Sequence, residues 1–132
     1  MNAMRPCPCG SQQTYAFCCG AFIENGALPP TPEALMRSRF TAYHDLNLNY
    51  IANTMKPPAS VGFEPSASLQ WAKDNKWVKL TVVNATQFGN TGTVEFIAYY
   101  QHKNKTKHIR EVSEFRCDEG KWFYVDGKHD KT

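Results

Sequence analysis

Beyond its first twenty residues the chain has one cysteine, Cys117. It has no apolar run near the ~18 residues that a membrane span needs. Its amino end lacks the apolar stretch of a signal peptide, so the chain reads as cytoplasmic. Charge of one sign is also scarce. Fifteen Lys and Arg stand against 12 Asp and Glu, scattered except for a short run from Lys103 to Lys107. A dedicated nucleic-acid-binding face concentrates its basic residues, so nucleic acid is disfavoured as a partner. There is no internal repeat, no low-complexity tract, no glycine-rich phosphate loop and no G-x-S-x-G elbow. What remains is a 132-residue globular chain that is 42% hydrophobic, with eight Phe and six Tyr to build a core. The lone Cys117 reads as a core thiol.

The other four cysteines are crowded together as Cys7-Pro8-Cys9-Gly10 and, after eight intervening residues from Cys9, Cys18-Cys19-Gly20. Two local pairs on a short loop can supply a full tetrahedral thiolate cage, the usual form of a structural zinc site. Pro8 stiffens the first pair, and Gly10 and Gly20 permit turns that aim amides at the sulfurs. Tyr15, Phe17 and Phe22 are the expected apolar cap. Two disulfides would need an oxidising compartment, which nothing here indicates. Iron–sulfur clusters use other spacings. The expected cofactor is therefore one zinc ion on Cys7, Cys9, Cys18 and Cys19. Four thiolates leave no open coordination position, so the ion should be structural.

The segment PCPCGSQQTYAFCCG resembles the SEC-C motif, a small zinc-binding tail known from the preprotein-translocation ATPase. The resemblance carries over Cys7, Cys9, Cys18 and Cys19 as metal ligands. Gln12, Gln13 and Thr14 stand where that motif commonly has a glycine and basic residues.

Asn25 to Pro30 reads as an extended linker. Thr31-Pro32-Glu33 opens a helix, with Thr as N-cap and Pro at the first helical position. Leu35, Met36, Phe40 and Tyr43 recur on its buried face. A second short helix carries Tyr50, Ile51 and Met55, and a third runs from Pro65 through Leu69, Trp71 and Ala72. From Lys76 the period changes to two. Val78, Leu80 and Val82 mark one strand, Val94 to Tyr100 a second, residues 107–117 a third and Trp122 to Val125 a fourth. His102 to Thr106 reads as a polar loop. Helices followed by an antiparallel meander indicate an α+β layer arrangement.

Asp118-Glu119-Gly120 fits a three-residue hairpin loop. That register places Ile109, Glu111, Ser113, Phe115, Phe123 and Val125 on the core face. Trp122 and Tyr124 then lie outside, either under the cysteine module or as an exposed anchor for a partner. An acid on an apolar face needs a partner or marks a pocket. Arg39 is the expected partner of Glu111, and a pocket would collect Glu111, Arg39, Tyr43 and Phe96. His44, His102, His108 and His129 fall off that face and show no catalytic pattern. His44 and Asp45 are chain neighbours, which on a helix do not face each other.

Leu35-Met36-Arg37-Ser38-Arg39-Phe40, Trp77 to Val82, Arg110 to Phe115 and Lys121 to Gly127, taken in order with the cysteine module, resemble the bacterial YchJ-like family. That resemblance implies a nuclear-transport-factor-2-like (NTF2-like) fold, a curved antiparallel sheet wrapped by helices around a cone-shaped cavity. It implies a fold rather than an activity. Related folds often pair through the sheet, which makes a homodimer an expectation. The domain reading is a zinc-binding module at 1–28 and an NTF2-like domain at 29–132. Two functions follow. One is an adaptor that binds a protein partner through the cysteine module. The other is a small-molecule binder or enzyme with Glu111 in the cavity. The strength of the cysteine motif favours the adaptor, and an open cavity would favour the alternative.

Overall fold

The computed structural model describes residues 3–129, apart from the side chain of His129. After a 3-10 turn at Tyr15–Phe17 come α1 (Cys19–Ile23), α2 (Pro32–His44), α3 (Leu48–Asn53) and α4 (Pro65–Asp74). Four strands follow, β1 (Lys76–Phe88), β2 (Thr91–His102), β3 (Lys105–Asp118) and β4 (Lys121–His129), in one antiparallel meander ordered β1-β2-β3-β4.

The central helix starts where its sequence says it should. The Thr31 hydroxyl accepts from the Ala34 amide at 3.1 Å, and Pro32, which has no amide to leave unpaired, takes the first turn. Leu35, Met36 and Phe40 pack against the sheet with Leu80, Val94, Phe96 and Phe115. Ala42 packs the other way, onto Leu48 and Ile51. Helix α2 is thus buried on two sides. At the N-terminal end it lies so close to β2 that a Cβ on Gly92 would meet Pro32 Cγ at 2.5 Å. Leu46, at φ 62°, turns the chain out of α2, and Asn47 then caps α3.

Three details of the strands differ from the periodic reading. Register shifts between Trp77 and Lys79 and between Val82 and Asn84 put bulges in β1, which curve the strand and swap its faces. Trp77 is therefore buried and Val78 exposed, although alternation had placed Val78 inside. The polar loop after β2 shrinks to Lys103 and Asn104, both at positive φ. The last hairpin also turns on two residues, Glu119 (φ 52°) and Gly120 (φ 81°), as a tight type I′ turn requires.

That one-residue difference reverses the faces at the start of β4. Cys117 lies opposite Trp122 and Phe115 opposite Tyr124. Trp122 is buried at 4% exposure, so neither the exposed-anchor reading nor cover by the cysteine module holds for it. Tyr124 packs inward on Phe115, their rings 5.9 Å apart. Phe123 faces outward, under the ammonium groups of Lys56 and Lys121. A shift between Glu114 and Phe115 then skips Val125 and brings Gly127 opposite Ser113. On β3, Glu111, Ser113 and Phe115 are buried on one face, as the alternation of the sequence required.

Candidate functional sites

The four N-terminal cysteines converge, with their sulfurs all within 4.8 Å of one another. The Sγ atoms of Cys9 and Cys18 are 3.6 Å apart, and those of Cys18 and Cys19 4.0 Å. A tetrahedral ion at ~2.3 Å from each sulfur needs edges of about 3.8 Å, so the set fits a four-thiolate metal centre. It does not fit a disulfide, whose sulfurs are ~2.05 Å apart, and all four are free. Local chain geometry does the gathering. The Gly10 amide closes a turn onto the Cys7 carbonyl at φ 82°, Cys7 N–H reaches Gln13 O at 2.9 Å, and Cys19 opens α1.

The sulfurs take hydrogen bonds from hydroxyls as well as from an amide, the Ser11 backbone N–H at Cys9. Ser11 Oγ lies 3.1 Å from Cys18 Sγ, and Thr41 Oγ1 lies 3.7 Å from Cys7 Sγ. Crowding also separates the thiol acidities. Hydrogen bonds with Cys19 and then Cys7 hold Cys9 far below an ordinary thiol, while those with Cys7 and then Cys9 raise Cys19. Burial pushes Cys18 up to about 11. Of the expected cap, Tyr15 is buried, but Phe17 is 76% exposed; Ile23 packs there instead.

One stripe of α2 holds this module. Arg37 Nη1 donates to the Cys9 carbonyl at 2.9 Å, and Thr41, one turn on, meets Cys7. Asp45 at the C-cap takes a two-pronged ion pair from Arg5, at 3.2 and 2.5 Å. Arg5 also lies over the Tyr15 ring, 4.3 Å from its centroid. His44 Nδ1 reaches the same Asp45 carboxylate at 3.0 Å. The two neighbours meet because Asp45 (φ −92°, ψ 4°) has already left helical geometry, contrary to the expectation for a continuing helix.

The opposite stripe of α2 lines a cavity of about 290 Å³. Glu111, Arg39, Tyr43 and Phe96 all border it, with Trp71, Trp77 and Tyr124 among the residues that sequence reasoning had not placed there. Trp71, Trp77 and Tyr100 form an aromatic cluster with centroids 5.1–5.5 Å apart. Glu111 is buried and accepts from Ser113 Oγ at 2.6 Å and, more loosely, from Tyr124 O–H at 3.4 Å. A Cβ on Gly127 would sit 2.5 Å from Glu111 Oε2, so only glycine leaves that carboxylate room.

Arg39 is buried too, but its hydrogen bonds run to the Ile51 carbonyl at 2.9 Å and Thr54 Oγ1 at 2.7 Å. Its guanidinium carbon lies 4.7 Å from the Tyr124 ring centroid, so arginine and glutamate meet through Tyr124 rather than as the expected direct pair. Burial lowers the Arg39 pKa. It raises that of Tyr43, and with the Glu111 charge raises that of Tyr124. Among the described residues one fully buried side-chain polar atom has no hydrogen-bond partner within the protein. Trp77 Nε1 is buried without an acceptor, a deficit of about 1–3 kcal/mol. His102 contacts the Asp74 carbonyl and His108 the Tyr99 ring; neither borders the cavity. The side chain of His129 lies outside the described residues.

Among the described residues, no helix is long and apolar enough to cross a membrane. Comparison with known proteins agrees with both halves of this architecture. The family model for the YchJ middle NTF2-like domain matches residues 31–127. A UPF0225 protein of Vibrio vulnificus is 41% identical over 124 residues, which span 92% of this chain and 73% of that protein. The solution structure of a SEC-C-motif-containing protein from Rhodopseudomonas palustris superposes with a TM-score of 0.88 at 33% identity, covering 95% of this chain and 98% of the other. A second SEC-C-motif-containing protein, from Psychrobacter arcticus, gives a TM-score of 0.80 at 24% identity over 98% and 85% of the two chains and shows the shared fold. With a cysteine cluster clasped to one side of α2 and a curved sheet holding a cavity on the other, the chain belongs to the YchJ-like, UPF0225 family of NTF2-like proteins that carry a SEC-C motif.

Proposed function

We propose that this protein binds a small molecule in the cavity between α2 and the sheet, and that its cysteine cluster is a structural zinc site bracing α2 from behind. The observation that carries the first part is the cavity itself. It has about 290 Å³ of space, apolar aromatic walls, and two oppositely charged buried side chains, Arg39 and Glu111, at its border. Burying either group is costly unless something is gained, and sites that bind small ligands combine apolar walls with a few placed polar groups. The four-thiolate set supports zinc because soft, tetrahedral, all-sulfur coordination suits that ion and leaves it no open position.

A screen of ring-sized fragments by thermal shift tests the cavity, run in parallel on the Ala98→Leu variant. Ala98 borders the cavity on β2. The added volume should abolish binding while the variant still unfolds cooperatively. Fragments that bind both proteins equally would place the ligand elsewhere. Contact with a protein partner through the cysteine module is the second reading, favoured by Phe17, which stands 76% exposed beside the cluster. A partner captured by the wild-type protein and lost both on Phe17→Ser and on metal chelation would support it.

A further inference from the structure

We infer that the ligand of this cavity is a small aromatic monocarboxylate, with Arg39 as the anchor for its carboxylate. The inference rests on the cavity reading and goes on to the chemistry of the occupant. Arginine offers five N–H donors in a planar fork. Here the fold uses only those on Nη1, for Ile51 O and Thr54 Oγ1. Among the described residues Nε and Nη2 have no protein acceptor, on a side chain that is 5% exposed and borders the cavity.

The Trp77 ring lines the same space, but its indole N–H, which has no acceptor, is itself fully buried. A further donor borders the cavity. The Tyr43 hydroxyl has no protein hydrogen bond among the described residues. Among the described residues that line the cavity the one acidic group, Glu111, already accepts from Ser113 and Tyr124. The uncommitted groups around the cavity are the Arg39 N–H groups, which only donate, and the Tyr43 and Ser68 hydroxyls, which can donate, so an occupant with acceptors suits them all. A planar carboxylate matches the guanidinium fork with two parallel bonds.

Charge decides between an anion and a neutral acceptor. Arg39 makes its two hydrogen bonds to uncharged oxygens, and its guanidinium stacks on the ring of Tyr124. Glu111 acts on this cation through space, but among the described residues no carboxylate is hydrogen-bonded to it. The rest of the wall sets the body of the ligand. Phe40, Trp77 and Phe96 present aromatic surface, and about 290 Å³ is at the lower end of the ~300–1,000 Å³ range of ligand pockets. One ring with a short acidic arm fits that space.

The test titrates the full-length metal-loaded protein with phenylacetate, phenylacetamide and phenethylamine. It follows the Trp77 indole N–H resonance and tryptophan fluorescence. The expected result is saturable binding of phenylacetate, with phenylacetamide at least tenfold weaker and phenethylamine weaker still. Arg39→Lys, which keeps the charge but loses the fork, should weaken phenylacetate at least tenfold and narrow its preference over the amide. Tyr43→Phe should weaken phenylacetate while leaving the melting temperature unchanged. The acid-to-amide ratio on the unaltered protein stands even if Arg39→Lys fails to fold. Equal binding of acid and amide, or preference for the amine, would overturn the carboxylate assignment and leave the cavity reading intact. No perturbation of Trp77 by any of the three at millimolar concentration would overturn both.

Discussion

At the residue scale, the chemistry sits on side chains whose burial conflicts with their polarity. Glu111 was legible in the sequence because strand alternation placed it between Ile109 and Ser113 on an inward face. Arg39 was legible from helical spacing beside Met36 and Phe40. Their manner of meeting was not, because it depends on Tyr124, and Tyr124 changes face with a single residue of hairpin loop. Glu119 takes the left-handed conformation although it has a side chain, and no local pattern announces that. Gly127 shows how tightly the resulting floor is built. A methyl there would lie 2.3 Å from the Tyr124 hydroxyl and 2.5 Å from Glu111 Oε2. Gly127→Ala should therefore cost about 1–3 kcal/mol of stability in urea unfolding, the range for overpacking a filled site. A variant as stable as wild type would mean that the carboxylate and phenol move aside freely.

At the element scale, α2 does two jobs with two stripes. Arg37, Thr41 and Asp45, four residues apart, hold the cysteine module; Met36, Arg39, Phe40 and Tyr43 line the cavity. The second stripe was visible as apolar periodicity. The first was not, because polar residues at helical spacing look the same whether they face solvent or another module. With zinc in the proposed site, an outer hydrogen bond such as that from Arg37 to the Cys9 carbonyl would orient the ligands. Arg37→Ala should lower zinc affinity about 10–100-fold in a chelator competition. Unchanged affinity would show that the cluster is set by its own loop alone.

Asp45 makes the same attachment sensitive to pH. Burial acts to raise its pKa, but hydrogen bonds and charge from Arg5 and His44 outweigh that and hold it below the ordinary value. A depressed carboxylate stabilises the fold above its unfolded pKa of about 3.9, and that contribution is lost as pH falls through the lower folded value. Wild type should therefore lose its advantage over Asp45→Asn in acid melts below about pH 4. A difference that stays constant into acid would remove Asp45 from the account.

At the scale of the whole molecule, the sequence supplied the order of layers. Helices precede a meander, and one cysteine cluster precedes both. It did not supply the curvature, which comes from bulges in β1 and β4, nor the cavity that the curvature leaves beneath α2. Trp77 illustrates the gap: a bulge one residue away decides whether it faces solvent or core. The cluster is tied to α2 at Arg37, Thr41 and Asp45, so metal removal should be felt throughout. Chelation under reducing conditions should lower the melting temperature of the entire protein in one transition. Two separate transitions, the later unchanged from the metal-loaded protein, would show that the module and the sheet domain fold independently.

A fragment seated between α2 and the sheet should give intermolecular nuclear Overhauser effects in the metal-loaded protein. The expected contacts are to the methyl groups of Met36, Ala98 and Ile109, all of which border the cavity. Contacts to Phe17 or Phe22 on the cysteine module, with none to those methyl groups, would contradict that seating.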